Sequence, residues 1–143
     1  MLKTYLQINN LSMYHLSKAS GIPYSTVNDL ANNKTTSGNC KVSVIQKLAA
    51  ALQISIEEFL FICEQPAVFK TNHGAMEAYI SAKGNKYYVT FLDEEEKHEI
   101  EMSSACESIR PFLYELAEWK IDDYLADKQL EVMTNELLHH AQK

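Results

Sequence analysis

Glycine, proline and cysteine are all scarce in this sequence, with four, three and three residues in a chain of 143. The cysteines, Cys40, Cys63 and Cys106, are odd in number and widely spaced and form no CxxC pair. This pattern argues against both a disulfide framework and a zinc site. The sequence also contains no phosphate-binding glycine loop and no nucleophile motif. It therefore gives no case for an enzyme, and it predicts neither a metal nor a cofactor.

Long apolar runs are also absent. None approaches the length of a membrane span, and the first ten residues, MLKTYLQINN, lack the apolar core of a signal peptide. We therefore expect a cytoplasmic protein that does not contact a membrane. A hydrophobic content of 46% and a charged content of 22% are typical of a globular chain, and the length suits one or two small domains.

Positive charge is scarce, and the first part of the chain contains no arginine. Residues 1–63 carry five lysines against three carboxylates, a net charge of +2, whereas residues 64–143 carry a net charge of −8. This asymmetry predicts two domains with different partners. A nucleic-acid surface, if the protein has one, belongs to the first of them.

Two short helices joined by a tight turn are predicted within the stretch 12–34. Ser12 is a good N-cap for the first helix, and Gly21 lies where that helix must end and the chain must change direction. Pro23 is tolerated in the first turn of the second helix, and Val27 and Leu30 give that helix a buried face. Its other face is polar. A helix, a glycine turn and a presented helix together make a helix-turn-helix.

The helix pair belongs to a longer pattern. This pattern consists of Leu16, Gly21, Ile22, Thr26, Val27, Leu30 and Lys34, followed by LAAAL at 48–52 and by Ile54, Ser55 and Ile56. With it, roughly residues 1–63 resemble the phage-repressor type of helix-turn-helix domain, the Cro-like or XRE family. The family usually has glutamine, alanine and glycine where this chain has Met13, Ser17 and Asn33. No resemblance to a family extends beyond residue 63.

The resemblance implies that the second helix of the pair enters the major groove of DNA with its first residues at base edges. The positions that match base contacts are Tyr24, Ser25, Asn28 and Asp29. Asn28 is the best candidate, because an asparagine amide can pair bidentately with adenine. The predicted phosphate contacts are Thr26, Lys34, Lys18 and Lys41.

Several alternatives remain open at these positions. Ser25 and Thr26 could each reach a base or a phosphate, and Asp29 could instead cap the helix or pair with a lysine. The whole polar face could also be solvated surface on a helical protein-interaction domain. A chain with so few cations implies a dimer on two half-sites if DNA is its ligand.

The second part of the chain predicts a different architecture. Gln65-Pro66 breaks the helical pattern, so residues 64–74 are expected to form a linker. Residues 79–92 then read as a hairpin around Gly84-Asn85, and a third strand at 97–102 follows a charged turn. Two helices complete the chain, the last at about 128–141. The residues expected to be buried in that last helix are Leu130, Met133, Leu137 and Leu138.

The predicted fold is mainly α with a small β part. It combines a five-helix, Cro-like domain at 1–63, a linker at 64–74, and an acidic α+β domain at 75–143 with an antiparallel meander and two helices. The predicted function is sequence-specific transcriptional regulation by a repressor that binds double-stranded DNA as a homodimer. The residues expected at the dimer or partner interface are Phe112, Leu116, Trp119 and Tyr124. The alternative is an antitoxin or phage-type inhibitor whose acidic domain binds a protein partner, with autoregulatory or lost DNA binding.

Overall fold

The computed structural model of the protein describes residues 1–104 and 110–141. Five helices come first: α1 (Leu2–Ile8), α2 (Met13–Ser20), α3 (Tyr24–Ala31), α4 (Val42–Leu52) and α5 (Ile56–Glu64). The strands β1 (Val68–Thr71), β2 (Gly74–Lys83), β3 (Lys86–Asp93) and β4 (Glu96–Ser104) follow, and then the long helix α6 (Leu113–Ala141). This order confirms the predicted fold class, which is mainly helical with a small antiparallel sheet.

The five N-terminal helices share one apolar core. Val27 and Leu30 of α3 are buried in it, as their spacing predicts, together with residues from α1, α2, α4 and α5. At the start of α5 the Ser55 hydroxyl accepts a hydrogen bond from the Glu58 backbone N–H at 3.0 Å. Ser55 is therefore the N-cap of this helix.

The four strands form an antiparallel meander in the order β1-β2-β3-β4. Lys83 pairs with Lys86 across the predicted Gly84-Asn85 turn, and Asp93 pairs with Glu96 across the charged turn. The sheet has one strand more than the sequence predicts, because β1 lies within the stretch 64–74 that was expected to be a linker. Phe69 explains why β1 belongs to the sheet, since the side chain of Phe69 is buried in the core beneath α6.

The C-terminal helix departs from the prediction in two ways. A single helix, α6, replaces the two that were expected, and it begins at Leu113, directly after a short 3₁₀ turn that contains Pro111. Its first half buries Leu113, Ala117 and Ile121 against the sheet. The prediction that the second half buries its apolar residues is wrong, because α6 continues beyond the sheet. The residues concerned, each more than half exposed, are Leu130, Met133, Leu137 and Leu138.

The helical unit packs against the sheet as well as against itself. On the face of the sheet opposite to α6, the ring of Tyr79 lies edge-on to the ring of Tyr5, with 4.8 Å between centroids, and its hydroxyl accepts a hydrogen bond from Asn9. Tyr79 and Ile80 therefore point to opposite faces of β2, the first towards α1 and the second towards α6.

Helix α5 covers an open edge of β2. Strand β1 pairs with β2 only as far as Glu77, so the backbone groups of Ile80 and Ala82 have no strand partner on that side. The buried Gln65 side chain, just after α5, donates to the Ile80 carbonyl at 2.7 Å and accepts from the Ile80 N–H. The Glu58 carboxylate accepts from the Ala82 N–H at 3.4 Å. Side chains of α5 and of its C-cap residue Gln65 therefore satisfy edge groups of β2, and those of Ile80 would otherwise be buried without partners.

None of the helices described here combines the length and the apolar character that crossing a membrane would need.

Candidate DNA-binding site

The turn between α2 and α3 has the geometry that the sequence predicts. The Ser12 hydroxyl caps α2 by accepting from the His15 N–H at 3.0 Å. Gly21 ends the helix with a φ of +73°, in the left-handed region. A Cβ atom at Gly21 would meet no heavy atom within 4 Å, so backbone strain rather than lack of space favours glycine here.

Two serines also hold this turn, and the sequence analysis did not anticipate their role. The Ser17 hydroxyl donates to the Ile22 carbonyl at 2.6 Å, and the Ser20 hydroxyl donates to the Leu16 carbonyl at 2.7 Å. Ser20 also accepts from the Ile22 N–H at 3.2 Å. Ser17, where the resembled family usually has alanine, therefore links α2 directly to Ile22 in the turn that leads to α3.

Helix α3 presents the polar face that the sequence predicts. Pro23 stands at its N-cap position, and no side chain there accepts a hydrogen bond from the first turn. Tyr24 is 48% exposed, Ser25 is exposed, and Asn28 and Asp29 are partly exposed. Thr26, the predicted phosphate contact on this helix, is also partly exposed. All five side chains are therefore accessible on one short helix whose opposite side is buried.

A second asparagine orients Asn28. The Asn32 amide donates to the Asn28 side-chain oxygen at 2.8 Å and to the Asn28 backbone carbonyl at 2.9 Å. The Asn28 oxygen keeps a second lone pair, and its NH₂ group keeps both donors, which is what bidentate pairing with adenine requires. Asn32 is the C-cap residue of α3, and no role was predicted for it. The signal that could have revealed it is the spacing of four residues between two hydrogen-bonding side chains.

The predicted phosphate-binding lysines, Lys18, Lys34 and Lys41, are exposed. Lys18 lies over the exposed ring of Tyr14, with Nζ 5.4 Å from the ring centroid. Among the side chains that the structure describes, the lysines that form ion pairs are Lys83, Lys86 and Lys128, and none of these belongs to the helical unit. The positive charges of the helical unit are therefore not neutralised by carboxylates in the described part of the chain.

Asp29 lies among these groups without an ionic partner in the part of the chain that the structure describes. Its side chain forms no hydrogen bond there either, while its backbone carbonyl accepts from the Lys34 N–H at 2.8 Å. The same segment contains Asn33 with a φ of +56°, a backbone conformation that asparagine tolerates better than most residues. The glycine of the resembled family is therefore not needed at this position.

The four residues predicted for a dimer or partner interface occupy two environments. Phe112 and Trp119 are largely exposed, and Leu116 is partly buried. Tyr124 packs between Phe91 and His98, with 5.2 Å and 4.9 Å between ring centroids, and its hydroxyl lies 3.2 Å from the His98 Nε2. The structure therefore does not bring the four together on one exposed surface.

In the part of the chain that the structure describes, no three or more histidine, cysteine, aspartate or glutamate side chains are grouped in a way that could hold a metal ion. Cys40 and Cys63 are free thiols, and burial raises the pKa of Cys63 to about 12. Cys106 lies outside the described residues.

Comparison with known protein families supports the geometry of the helix pair. Residues 1–63 match the Cro/C1-type HTH DNA-binding domain family. These residues are therefore a Cro/C1-type helix-turn-helix DNA-binding domain, as the residue pattern predicted, and the match does not extend into the sheet or α6. No curated protein and no solved structure significantly matches the chain.

Proposed function

We propose that the protein is a sequence-specific transcriptional regulator, a repressor that inserts α3 into the major groove of its operator. The observation that carries this proposal is the outer face of α3, where Asn32 orients the Asn28 amide with its donors free. Tyr24 and Ser25 flank that amide on the exposed side of the helix. Bound in this way, the protein represses by excluding polymerase from the operator.

The charge of the helical domain supports action as a homodimer. With a net charge of +2, one copy neutralises few phosphates, and phosphate contacts dominate affinity. Two copies on two half-sites double these contacts and place two recognition helices about one turn of DNA apart. In this proposal residues 1–63 bind DNA, residues 75–143 mediate association, and residues 64–74 join the two parts.

The first experiment measures binding of the full chain to a labelled fragment from upstream of its own gene, at two salt concentrations and with random DNA as competitor. Binding that survives the competitor and weakens with salt is expected. Absence of binding at low salt would refute the proposal.

Two substitutions test the roles assigned to single residues. Asn28→Ala should cost about 1–3 kcal/mol on the specific site and leave non-specific binding nearly unchanged, because it removes a base contact. Lys34→Ala should weaken binding to all sequences about equally and flatten the salt dependence, because it removes a phosphate contact. Unchanged affinity for the specific site in both variants would contradict these assignments.

Matched controls for both substitutions lie outside the helical domain. Asn135→Ala changes an exposed asparagine of α6, and Lys70→Ala changes an exposed lysine of β1. Neither control should alter binding to the specific site.

A second candidate function is supported by the charge of residues 64–143. Sixteen carboxylates against eight cations leave this part at −8, which suits a basic partner protein, as in an antitoxin or a phage-type inhibitor. DNA binding would then be autoregulatory or lost.

A further inference from the structure

The outer face of α6 carries a regular apolar row. Trp119, Ala126, Leu130, Met133 and Leu137, called the seam here, follow one another at intervals of seven, four, three and four residues. This spacing places them on one side of the helix, opposite to Ile121, which faces the sheet. Between Trp119 and Ala126, the residue on the same side of the helix is Asp123. The continuous apolar part of the seam therefore begins at Ala126.

The seam is exposed along its whole length. The exposed fractions of Trp119, Leu130 and Leu137 are 61%, 63% and 68%. Together with Met133, these side chains leave apolar surface on the order of 500 Å² uncovered per chain. Two copies facing each other would bury up to about 1,000 Å² of it, which is close to the smallest area expected for a specific interface.

We propose that α6 pairs through the seam with α6 of a second copy of this chain, as a short two-helix coiled coil. Alternation of three and four residues is the spacing at which two identical helices interlock side chains into each other's gaps. An isologous contact of this kind needs only one surface, and the seam is such a surface.

The charge distribution along α6 favours a second copy as the occupant. Two acidic chains repel each other, but the carboxylates of α6 are concentrated before Gln129. From 129 to 141, where the helix extends beyond the sheet, the only acidic residues are Glu131 and Glu136, with no lysine or arginine. Repulsion between copies is therefore weakest where the apolar residues are densest.

The inference rests on the proposed function in one respect, since pairing through the seam supplies the contact that a dimeric repressor needs. The oligomeric state can nevertheless be measured without DNA, so the two proposals can fail separately.

The test is the mass of the full chain in solution, by light scattering after size exclusion, over a range of micromolar concentrations. The wild-type protein should have twice the 16.3 kDa mass of one chain. The double variant Leu130→Glu/Leu137→Glu should be monomeric at the same concentrations, with dimerisation weakened at least about 100-fold, because each glutamate places a charge in the seam. Both leucines are exposed in the single chain, so its circular dichroism spectrum should not change.

Val132→Glu is the matched control, because Val132 is an exposed apolar residue of the same segment on the opposite side of the helix. This variant should remain dimeric. A monomeric wild type, a dimeric double variant, or equal disruption by Val132→Glu would each overturn the proposal. If the wild type is monomeric, the remaining candidate for the occupant of the seam is a partner protein whose surface accommodates an apolar helix.

The protein's single tryptophan gives an independent measurement, because Trp119 lies in the seam. Its fluorescence should shift to the red on dilution of the wild type, as the indole becomes exposed to water, and should already be shifted in the double variant. Identical spectra at all concentrations and in both proteins would contradict burial of Trp119 between two copies. A dimer that binds no DNA would refute the proposed function alone, and a monomer that binds its operator would refute the seam alone.

Discussion

Glu58 is a residue whose charge is unfavourable in the folded protein. Its carboxylate is partly buried between α5 and β2, and this burial raises its pKa above the ordinary value of 4.5. The hydrogen bond from the Ala82 N–H and the charge of Lys83 act in the opposite direction but do not cancel the effect of burial. Because the folded-state pKa exceeds the unfolded one, the free energy of unfolding falls as the pH rises through the interval between them.

Glu58→Gln should therefore raise the free energy of unfolding at neutral pH, since glutamine keeps an acceptor for the Ala82 N–H without the charge. The gain should disappear below pH 4.5, where the wild-type carboxyl is protonated in both states. Urea denaturation of both proteins at the two pH values measures the difference. The control is Glu57→Gln, at the exposed neighbouring position, which should have little effect. A less stable Glu58→Gln at neutral pH would show that the charge stabilises the fold.

At the scale of elements, the turn between β3 and β4 contains local strain. Glu94 and Glu95 both adopt left-handed φ values, +52° and +66°, between the paired residues Asp93 and Glu96. Two-residue turns of this kind favour Asn-Gly, because both central residues need a positive φ. Lys128 of α6 partly offsets the cost of this strain by pairing with the turn. Its Nζ lies 2.8 Å from the Asp93 carboxylate and 3.3 Å from the Glu94 carboxylate. The turn is therefore held partly by the helix that packs above it.

Glu95→Gly should raise the free energy of unfolding by about 1 kcal/mol, because glycine adopts the left-handed conformation without steric cost. Glu95 is the better choice within the turn, since Glu94 pairs with Lys128. Thermal and urea denaturation measure the effect. Glu96→Gly is the control, because Glu96 lies in β4 without a positive φ and glycine should destabilise it there. A change of the same sign in both variants would argue against strain at Glu95.

Helix α6 shows why element boundaries were misjudged from the sequence. Its apolar residues face the sheet at Ala117 and Ile121, but beyond Leu125 they reappear on the opposite side, at Leu130 and Leu137. When only the periodicity of apolar residues is known, such a move of the apolar residues to the other side of a helix looks like a break between two helices. The backbone nevertheless continues, since the described helix contains no glycine or proline.

At the scale of the whole molecule, the helical domain and the sheet are joined by hydrogen bonds and an aromatic contact. The buried Gln65 side chain binds both backbone groups of Ile80 at the edge of β2, and Asn9 and Tyr5 contact Tyr79 on one face of that strand. Buried hydrogen bonds of this kind are costly to leave unmade. We therefore expect the helices and the sheet to unfold together, although they contain two separate apolar clusters.

Gln65→Ala should lower the free energy of unfolding by about 2 kcal/mol, because it leaves the Ile80 N–H and carbonyl buried without partners. Gln46→Ala, at an exposed position of α4, is the control and should have little effect. In the wild type, denaturation followed by far-ultraviolet circular dichroism and by the backbone NMR signals of β2 and β3 should give coincident transitions. Two separate transitions would contradict a single cooperative unit.

The predictable parts of this molecule are those that local chemistry determines. The caps at Ser12 and Ser55, the turn at Gly21 and the Gly84-Asn85 hairpin each have a residue whose properties specify the local conformation. Strand β1 was missed because four residues are too few to show a period. Gln65 and Asn32 were missed because their roles depend on partners that only the folded chain, or a neighbouring turn, brings near.

The two-sided burial of β2 makes its register intolerant of change. Ile80 enters the core under α6 and Tyr79 meets α1, so a one-residue insertion before Tyr79 would exchange these environments along the rest of the strand. The phenol would then face the apolar core, and Gln65 would meet a different pair of backbone groups. Length variation should therefore be excluded from β2 and tolerated at the exposed Gly84-Asn85 turn, where added residues would extend into solvent.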